Sequence, residues 1–381
     1  MGGSEIGDDD TLVLSNQPLL KEHEPQDTAL RQQRIRAWNP ILDPIWVAVS
    51  MLIIGVAFVP VGFKITGDVD DLTSLSIEYD AFNAKDPICG IGEVALANKS
   101  CTLEFEVDRD LEPPILVHYK VTGFNQNQRS YVDSRDDVQL LGRTVASDAD
   151  DCNPLRKIGD TNINPCGLIA NTFFYDKFPL QPVNDASGQP LQFLEEGIAW
   201  ESDMRFKFAQ PEAFKYDVCD SCDDCSCTRP DWSCDTPYVA PNGTCFRYFY
   251  PDDDTTRYLH ETYPLVVNPI EGVTNEHFIV WMRVAALPSF QKLYGYFNQP
   301  IAKGTTLKFD VLANWEVTSF RGSKSLIVST SYIFGGKNPW LGRLFIIVGF
   351  VSIALGVFFL GKQIIRPRKL ADRDYLMYKE D

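Results

Sequence analysis

The sequence predicts a membrane protein in which two transmembrane helices frame a large, mostly antiparallel β-sandwich ectodomain stapled by disulfides. Three observations carry that prediction. Two long uncharged apolar runs lie near opposite ends of the 381-residue chain, at residues 45–63 (IWVAVSMLIIGVAFVPVGF) and 344–360 (LFIIVGFVSIALGVFFL). All ten cysteines fall between them. The intervening stretch repeatedly alternates apolar and polar residues, the period of two that marks a strand with one buried face.

Residues 1–30 are acidic, polar and without hydrophobic periodicity, the composition of a disordered tail. Leu19-Leu20 lacks the acidic residue four positions upstream that a dileucine sorting signal calls for, since Ser15 stands there. Residues 31–44 (RQQRIRAWNPILDP) form a basic juxtamembrane segment whose arginines and Trp38 favour the headgroup interface. The first transmembrane helix is expected over residues 45–65. Its nineteen uncharged residues, at about 1.5 Å each, just span a ~30 Å hydrocarbon layer. Lying behind a polar stretch, it reads as an uncleaved signal anchor rather than a signal peptide.

The ectodomain is expected over residues 66–340. Residues 101–107 (CTLEFEV) and 115–121 (ILVHYKV) alternate cleanly and read as a hairpin joined by an acidic Pro-Pro loop. Residues 307–311 (LKFDV) and 325–329 (SLIVS) repeat the pattern, so strands at both ends of the domain return its termini to one membrane face. Helical pieces are expected at residues 131–141 and 284–293. Residues 219–245 form a Cys-rich insertion, the second transmembrane helix follows at 341–361, and residues 362–381 make a basic tail.

Orientation follows from the flanking charges. Arg31, Arg34 and Arg36 precede the first span, and Lys362, Arg366, Arg368, Lys369 and Arg373 follow the second. The inner flank carries Lys64 but then Asp68, Asp70, Asp71, Glu78 and Asp80. The positive-inside rule places both termini in the cytosol and the ectodomain in the lumen or outside the cell. Cysteines confined to that side suggest disulfides made in an oxidising compartment. Two N-x-S/T triplets, at Asn98 and Asn242, fall on the same side as candidate glycosylation sites.

A net charge of −17 argues against nucleic-acid binding, which calls for a basic patch. The ectodomain histidines, His118, His260 and His277, sit in no metal-ligand spacing, and the chain lacks a nucleophile elbow, a phosphate-binding loop and the phosphorylation motif of an ATP-driven pump. The acidic run DSRDD at 133–137 reads as structural ion pairs around Arg135, and the run DDD at 252–254 lacks the glycine register of a calcium loop. No catalytic residue, metal ligand or cofactor is assigned. The spans carry a different signal. Ala48, Gly55 and Gly62 recur every seven residues, as do Gly342, Gly349 and Gly356 with Ser352 beside them. Such small-residue stripes let helices approach closely, binding the two spans to each other or to a partner's helix.

Seven stretches in order carry a family resemblance: RQQRIRAWNPILDP, FNQNQRSYVDSRDDVQL, DCNPL with PCGLIANTFFYDKF, GIAWESDMRFKF, FIVWMRVAALPSFQKLYG, NWEVTSFRGSKSLIVSTSYIFGGKNPWLG and RPRKLADRDYL. Together they cover most of residues 31–375, and the chain resembles the Cdc-fifty/Lem-three (ligand-effect modulator; transmembrane protein thirty) family. The resemblance implies a non-catalytic β-subunit of a lipid-flipping type IV P-type ATPase, needed for that pump's folding, exit from the endoplasmic reticulum and transport cycle. It implies residence from the endoplasmic reticulum to the Golgi, endosomes or plasma membrane, with membrane phospholipids as the other partner. It also implies the pairs Cys89–Cys101 and Cys152–Cys166, each closing a small loop and contributing about 3 kcal/mol. The chain departs from the family at Cys219, Cys222, Cys225, Cys227, Cys234 and Cys245, which allow fifteen disulfide connectivities or, as a competing reading, a zinc site. Arg34, Arg36 and Trp38 are the expected cytosolic partner contacts, with Gly55, Gly349 and Gly356 in the membrane, while Trp281 and Arg283 are expected to serve the fold. The alternative is a two-span cell-surface receptor whose Cys-rich insertion binds an extracellular ligand.

Overall fold

The structure, a computed structural model, describes residues 28–35, 44–84, 87–91, 99–143, 152–185, 188–219, 221–222, 237–252, 254–331 and 335–367. The expectations placed on Arg36, Trp38, Asn98, Cys225, Cys227 and Cys234 lie outside these residues. Two long helices flank the rest: α1 (Pro44–Asp70, 27 residues) and α7 (Trp340–Ile365, 26 residues). Both are long and apolar enough to cross a bilayer. The described chain divides into two compact units. One holds α1 up to Ala57 together with α7 from Val348, and the other runs from Phe58 to Ile347.

Within the second unit the β domain begins three residues past α1. Strand β1 (Ser74–Ala81) pairs antiparallel with β12 (Ser323–Thr330), from Ser74 opposite Ser329 to Ala81 opposite Ser323. Thr73 seals the junction, its N–H donating to Thr330 Oγ1 and its carbonyl accepting the Thr330 N–H, both at 3.1 Å. The chain therefore enters and leaves the domain on adjacent strands. Beyond β12 come β3 (Ile115–Thr122) and β10 (Ser289–Phe297), giving a four-stranded antiparallel sheet in the order β1-β12-β3-β10.

A second antiparallel ladder joins β2 (Lys99–Glu106) to β11 (Thr306–Ala313), with single bridges from Lys177 and Leu180 along the β11 edge. Because side chains alternate across a strand, each ladder turns one face inward. Val117, Tyr119 and Val121 from β3 meet Leu103, Phe105, Phe309 and Val311 from the other ladder in one core. Rings dominate it: Phe105 meets Phe309 edge-on with centroids 6.0 Å apart, and Tyr119 stacks on Phe174 at 4.0 Å. Each fully buried aromatic or aliphatic side chain contributes about 1.5–3 kcal/mol.

The remaining elements are short. Strands β4 (Lys157–Ile158), β5 (Thr161–Asn164) and β9 (Thr256–Tyr258) form one small sheet, and β6 (Lys215–Val218), β8 (Cys245–Phe249) and β7 (Tyr238–Val239) form another. Helices α2 (Arg129–Val132), α3 (Asp137–Leu140), α4 (Glu201–Phe206), α5 (Leu259–Thr262) and α6 (Glu276–Met282) cover the core between strands. Disulfides join Cys89 to Cys101, Cys152 to Cys166 and Cys222 to Cys245, and Cys219 is disulfide-bonded as well.

Three local expectations are corrected. The stretches 101–107 and 115–121 are not a hairpin, because β2 pairs with β11 whereas β3 lies between β12 and β10. Alternation says that one face of a strand is buried, not which sheet holds it, and the seven residues between these strands exceed the usual hairpin loop of 2–5. Residues 284–293 are not helical. The helix is α6, ending at Met282, and β10 starts at Ser289, just past Pro288, which disfavours helical backbone at the residue before it. The helix expected at 131–141 is instead two single turns, α2 and α3. Asp136 separates them by accepting the Val138 and Gln139 N–H groups at 2.8 and 3.2 Å, an N-cap that starts a new helix.

Candidate partner-binding surfaces

The glycine stripes face each other across the helix pair. In the first unit, a Cβ placed on Gly55 would lie 2.4 Å from Ile353 Cγ1 and 2.7 Å from the Gly349 carbonyl oxygen. One placed on Gly356 would lie 2.8 Å from Leu52 Cγ and 3.1 Å from the Ala48 oxygen. In the second unit, a Cβ on Gly62 would come within 2.7 Å of Ile346, and one on Gly342 within 2.3 Å of Thr66 Oγ1. Real side chains cannot sit at such distances, so the seam needs hydrogen at these positions and is filled by this chain's own helices. The opposite faces carry large exposed apolar side chains, among them Ile53, Val56, Phe63, Phe350 and Phe358. These are the surfaces left for lipid or a partner's helices.

On the N-terminal side, Arg34 is exposed at the end of a short turn, its N–H donating to the Ala29 carbonyl at 2.7 Å. Asn242 stands exposed at the tip of the turn between β7 and β8. Its side-chain oxygen accepts the Thr244 N–H at 3.0 Å, a local Asx turn that presents the sequon to solvent.

The β domain also buries charges that sequence reasoning missed. Lys324 is fully buried, with its ammonium 2.7 Å from Asp176 Oδ2 and 3.5 Å from Asp80 Oδ2, while also donating to the Trp315 carbonyl. Asp176 is saturated: Oδ1 accepts the Asn314 and Trp315 N–H groups at 2.6 Å each, and Oδ2 also accepts the Tyr79 hydroxyl at 2.7 Å. Burial raises the Asp80 carboxyl above its ordinary range, and Lys324 partly opposes this. Lys292 is buried too, donating to the carbonyls of Val280, Trp281 and Arg283 at 3.0, 2.7 and 2.5 Å and so satisfying the C-terminal end of α6. A signal for both lysines existed. Lys324 shares the inward phase of its strand with Leu326 and Val328, and Lys292 shares that of Phe290 and Tyr294.

Trp281 is buried and donates its ring N–H to the Ile169 carbonyl at 2.9 Å. At Arg283 the carboxylate is the buried member of the pair. Asp203 is 2% exposed and receives Arg283 Nε at 2.5 Å and the Lys207 ammonium at 2.7 Å. The hydrogen bond from Arg283, and then that from Lys207, holds the Asp203 carboxyl below its ordinary range against the opposing pull of burial. In DSRDD, Arg135 pairs with Asp137 at 3.0 Å.

Three histidines of the β domain lie apart in different settings. His277 meets Glu195 at 3.0 Å, His260 stacks on Tyr250 at 4.7 Å, and His118 occupies the outer face of β3. Burial lowers His118 and His260 to about 4. Among the described residues, no group of three or more His, Cys, Asp or Glu side chains could hold a metal ion. Cys222 and Cys245, tied to each other, offer no thiolate.

Two apolar helices packed through glycines, flanking a disulfide-linked antiparallel β domain, define a class of two-helix membrane protein. The particular family follows from comparison. The family model described as the LEM3 (ligand-effect modulator 3) family / CDC50 family matches residues 68–369, and the chain belongs to that family. The chain is 33% identical to Cell cycle control protein 50A of Bos taurus over 355 residues, covering 89% of each chain. It is 31% identical to the Phospholipid-transporting ATPase accessory subunit CRF1 of Saccharomyces cerevisiae over 399 residues, with 96% of this chain and 92% of the other covered. It is also 30% identical to ALA-interacting subunit 3 of Arabidopsis thaliana, with 94% and 91% covered.

Proposed function

We propose that this chain is the non-catalytic accessory subunit of a phospholipid flippase, binding a type IV P-type ATPase and supporting its folding, exit from the endoplasmic reticulum and lipid translocation. The observation that carries the reading is near end-to-end similarity to a protein named as an accessory subunit of a phospholipid-transporting ATPase, covering 96% of this chain. The structure supplies surfaces suited to the role. In the first unit Gly55 and Gly356 sit in the seam between the two helices, with the Gly349 carbonyl against Gly55, and the exposed outer faces of that helix pair meet the pump.

The flanking charges support spans at 45–65 and 341–361 with both tails cytosolic and residues 66–340 lumenal or extracellular. The basic segment 31–44, through Arg34, Arg36 and Trp38, then meets the cytosolic side of the pump, and Asn98 and Asn242 carry glycans. Such a subunit acts without chemistry of its own. It shifts the transport cycle by binding one intermediate more tightly than another, and only by that difference. The test is affinity purification of the tagged chain in mild detergent, with mass spectrometry of what accompanies it. A stoichiometric type IV P-type ATPase is expected. A folded, glycosylated chain at the cell surface with no ATPase attached would overturn the reading.

A further inference from the structure

Three chain stretches far apart in sequence, 132–141, 203–208 and 279–284, wall a half-open cavity of about 580 Å³. Apart from Leu141, all three lie inside the blocks that carry the family resemblance. The floor is apolar, with Phe208, Ile279 and Met282 among its residues, and the rim is charged. Three cations, Arg135, Lys207 and Arg283, face two carboxylates, Asp137 and Asp203, so the rim is net positive on a chain of net charge −17.

The cations keep donors in hand. Arg283 gives Asp203 only its Nε, and its two Nη groups make no hydrogen bond among the described residues. Lys207 forms an ion pair with the same carboxylate and is 64% exposed. Both are anchored by a buried acid yet point unspent N–H groups outward, the arrangement that binds a further carboxylate by charge-assisted hydrogen bonds.

The apolar surface does not stop at the cavity. Between the two long helices, the most exposed large apolar side chains described are Phe206 at 71%, Leu287 at 68% and Trp200 at 64%. Phe206 lines the cavity, Trp200 lies 5.2 Å beneath the Arg283 guanidinium, and Leu287 follows three residues after Val284 of the wall. A small ligand filling the cavity would leave these side chains in water. Tryptophan, arginine and phenylalanine around a pocket are the composition of an interface hot spot.

We propose that this cavity and its rim form a docking site for a polypeptide segment of the partner ATPase that presents a carboxylate beside a large apolar side chain. The inference rests on the subunit reading above. The apolar side chain enters the cavity, and the carboxylate meets Arg283 and Lys207.

The test uses the full-length tagged chain co-expressed with the ATPase that purifies with it. A photo-crosslinking benzoylphenylalanine at position 206, and separately at 287, is compared with one at Ile158, an exposed apolar position on β4. Crosslinks from 206 and 287, but not from 158, to an ATPase peptide holding Asp or Glu next to an aromatic or aliphatic residue are expected. In parallel, the pair Phe206→Ser and Lys207→Gln should cut ATPase retention at least about tenfold, the scale of a hot spot, with an unchanged melting temperature. Crosslinks only to lipid would point to an amphiphile site and overturn the proposal, as would retention within twofold of wild type. If the unmodified chain retains no ATPase, the subunit reading falls and takes this inference with it. If it does retain the ATPase and the variants do so equally, this inference alone falls.

Discussion

Replacing Lys324 by methionine isolates the buried ion cluster as a stability determinant. Methionine keeps the unbranched stem and nearly the same volume, so packing is preserved and the change removes charge and donors. In the wild type the ammonium, fully buried, satisfies Asp176 at 2.7 Å and the Trp315 carbonyl and lies 3.5 Å from Asp80. Without it, two carboxylates face each other in the core with no cation between them. Removing one partner of a buried pair costs about 3–5 kcal/mol, a large share of the ~5–15 kcal/mol that holds a typical domain together. For a domain of this size that lowers Tm by on the order of 10 °C. Asp80→Asn should cost no more than about 1 kcal/mol, because Asp80 Oδ2 has no hydrogen-bond partner among the described residues and burial already disfavours its charged form.

The pH dependence sharpens the test. A carboxyl whose native value is raised binds protons more readily in the folded state, so acidification favours folding between its ordinary value and the raised one. That effect should be larger in Lys324→Met, whose deficit at pH 7 shrinks as pH falls through that window. The assay is thermal unfolding of the full-length chain in lipid nanodiscs at a series of pH values. A variant that melts within a degree or two of wild type at pH 7, or whose deficit grows in acid, would refute the account of the cluster.

Other predictions are more local. Gly55→Leu or Gly356→Leu should open the helix seam, since each new side chain would start within 3 Å of the facing helix. The measurement is loss of the crosslink between paired cysteines placed on the two helices, with ATPase retention falling in step. His118 and His260, lowered from 6.5 to about 4 by burial, take up protons in the unfolded chain first. Stability is therefore lost as pH falls below about 6.5, by on the order of 2 kcal/mol for each histidine at pH 5. His260→Phe should flatten that loss, and an unchanged acid profile would count against it. Asn242→Gln should remove one glycan from the mature chain, read as a single step in gel mobility that is absent after glycosidase treatment of both forms. Deleting residues 223–236 within the Cys-rich insertion should leave ATPase co-purification intact, and its loss would shift the weight to the receptor alternative.

The helices and the presence of strands were legible because each is a one-dimensional property. Uncharged runs at 45–63 and 344–360 read as helices α1 and α7 since no other short-range structure hides that many backbone amides in hydrocarbon. The alternation in β2, β3 and β11 registers a buried face residue by residue, whereas β12 is buried on both faces from Lys324 to Ser329. The small-residue spacing of Gly55, Gly349 and Gly356 likewise marked a close-packing face, though not whose helix it packs against.

Pairing was the part that only the tertiary structure decided. Whether 101–107 joins 115–121 or β11 depends on a partner some 200 residues away, and alternation carries no address for it. The same holds for Lys324 and Asp203. The phase of a strand marks a buried charge but does not name its counter-ion, which arrives from another part of the chain: Asp176 for Lys324 and Arg283 for Asp203. The cavity at Phe206, Lys207 and Arg283 exists only once three separate stretches converge. Local sequence sets which faces avoid water, and long-range closure sets which of those faces meet.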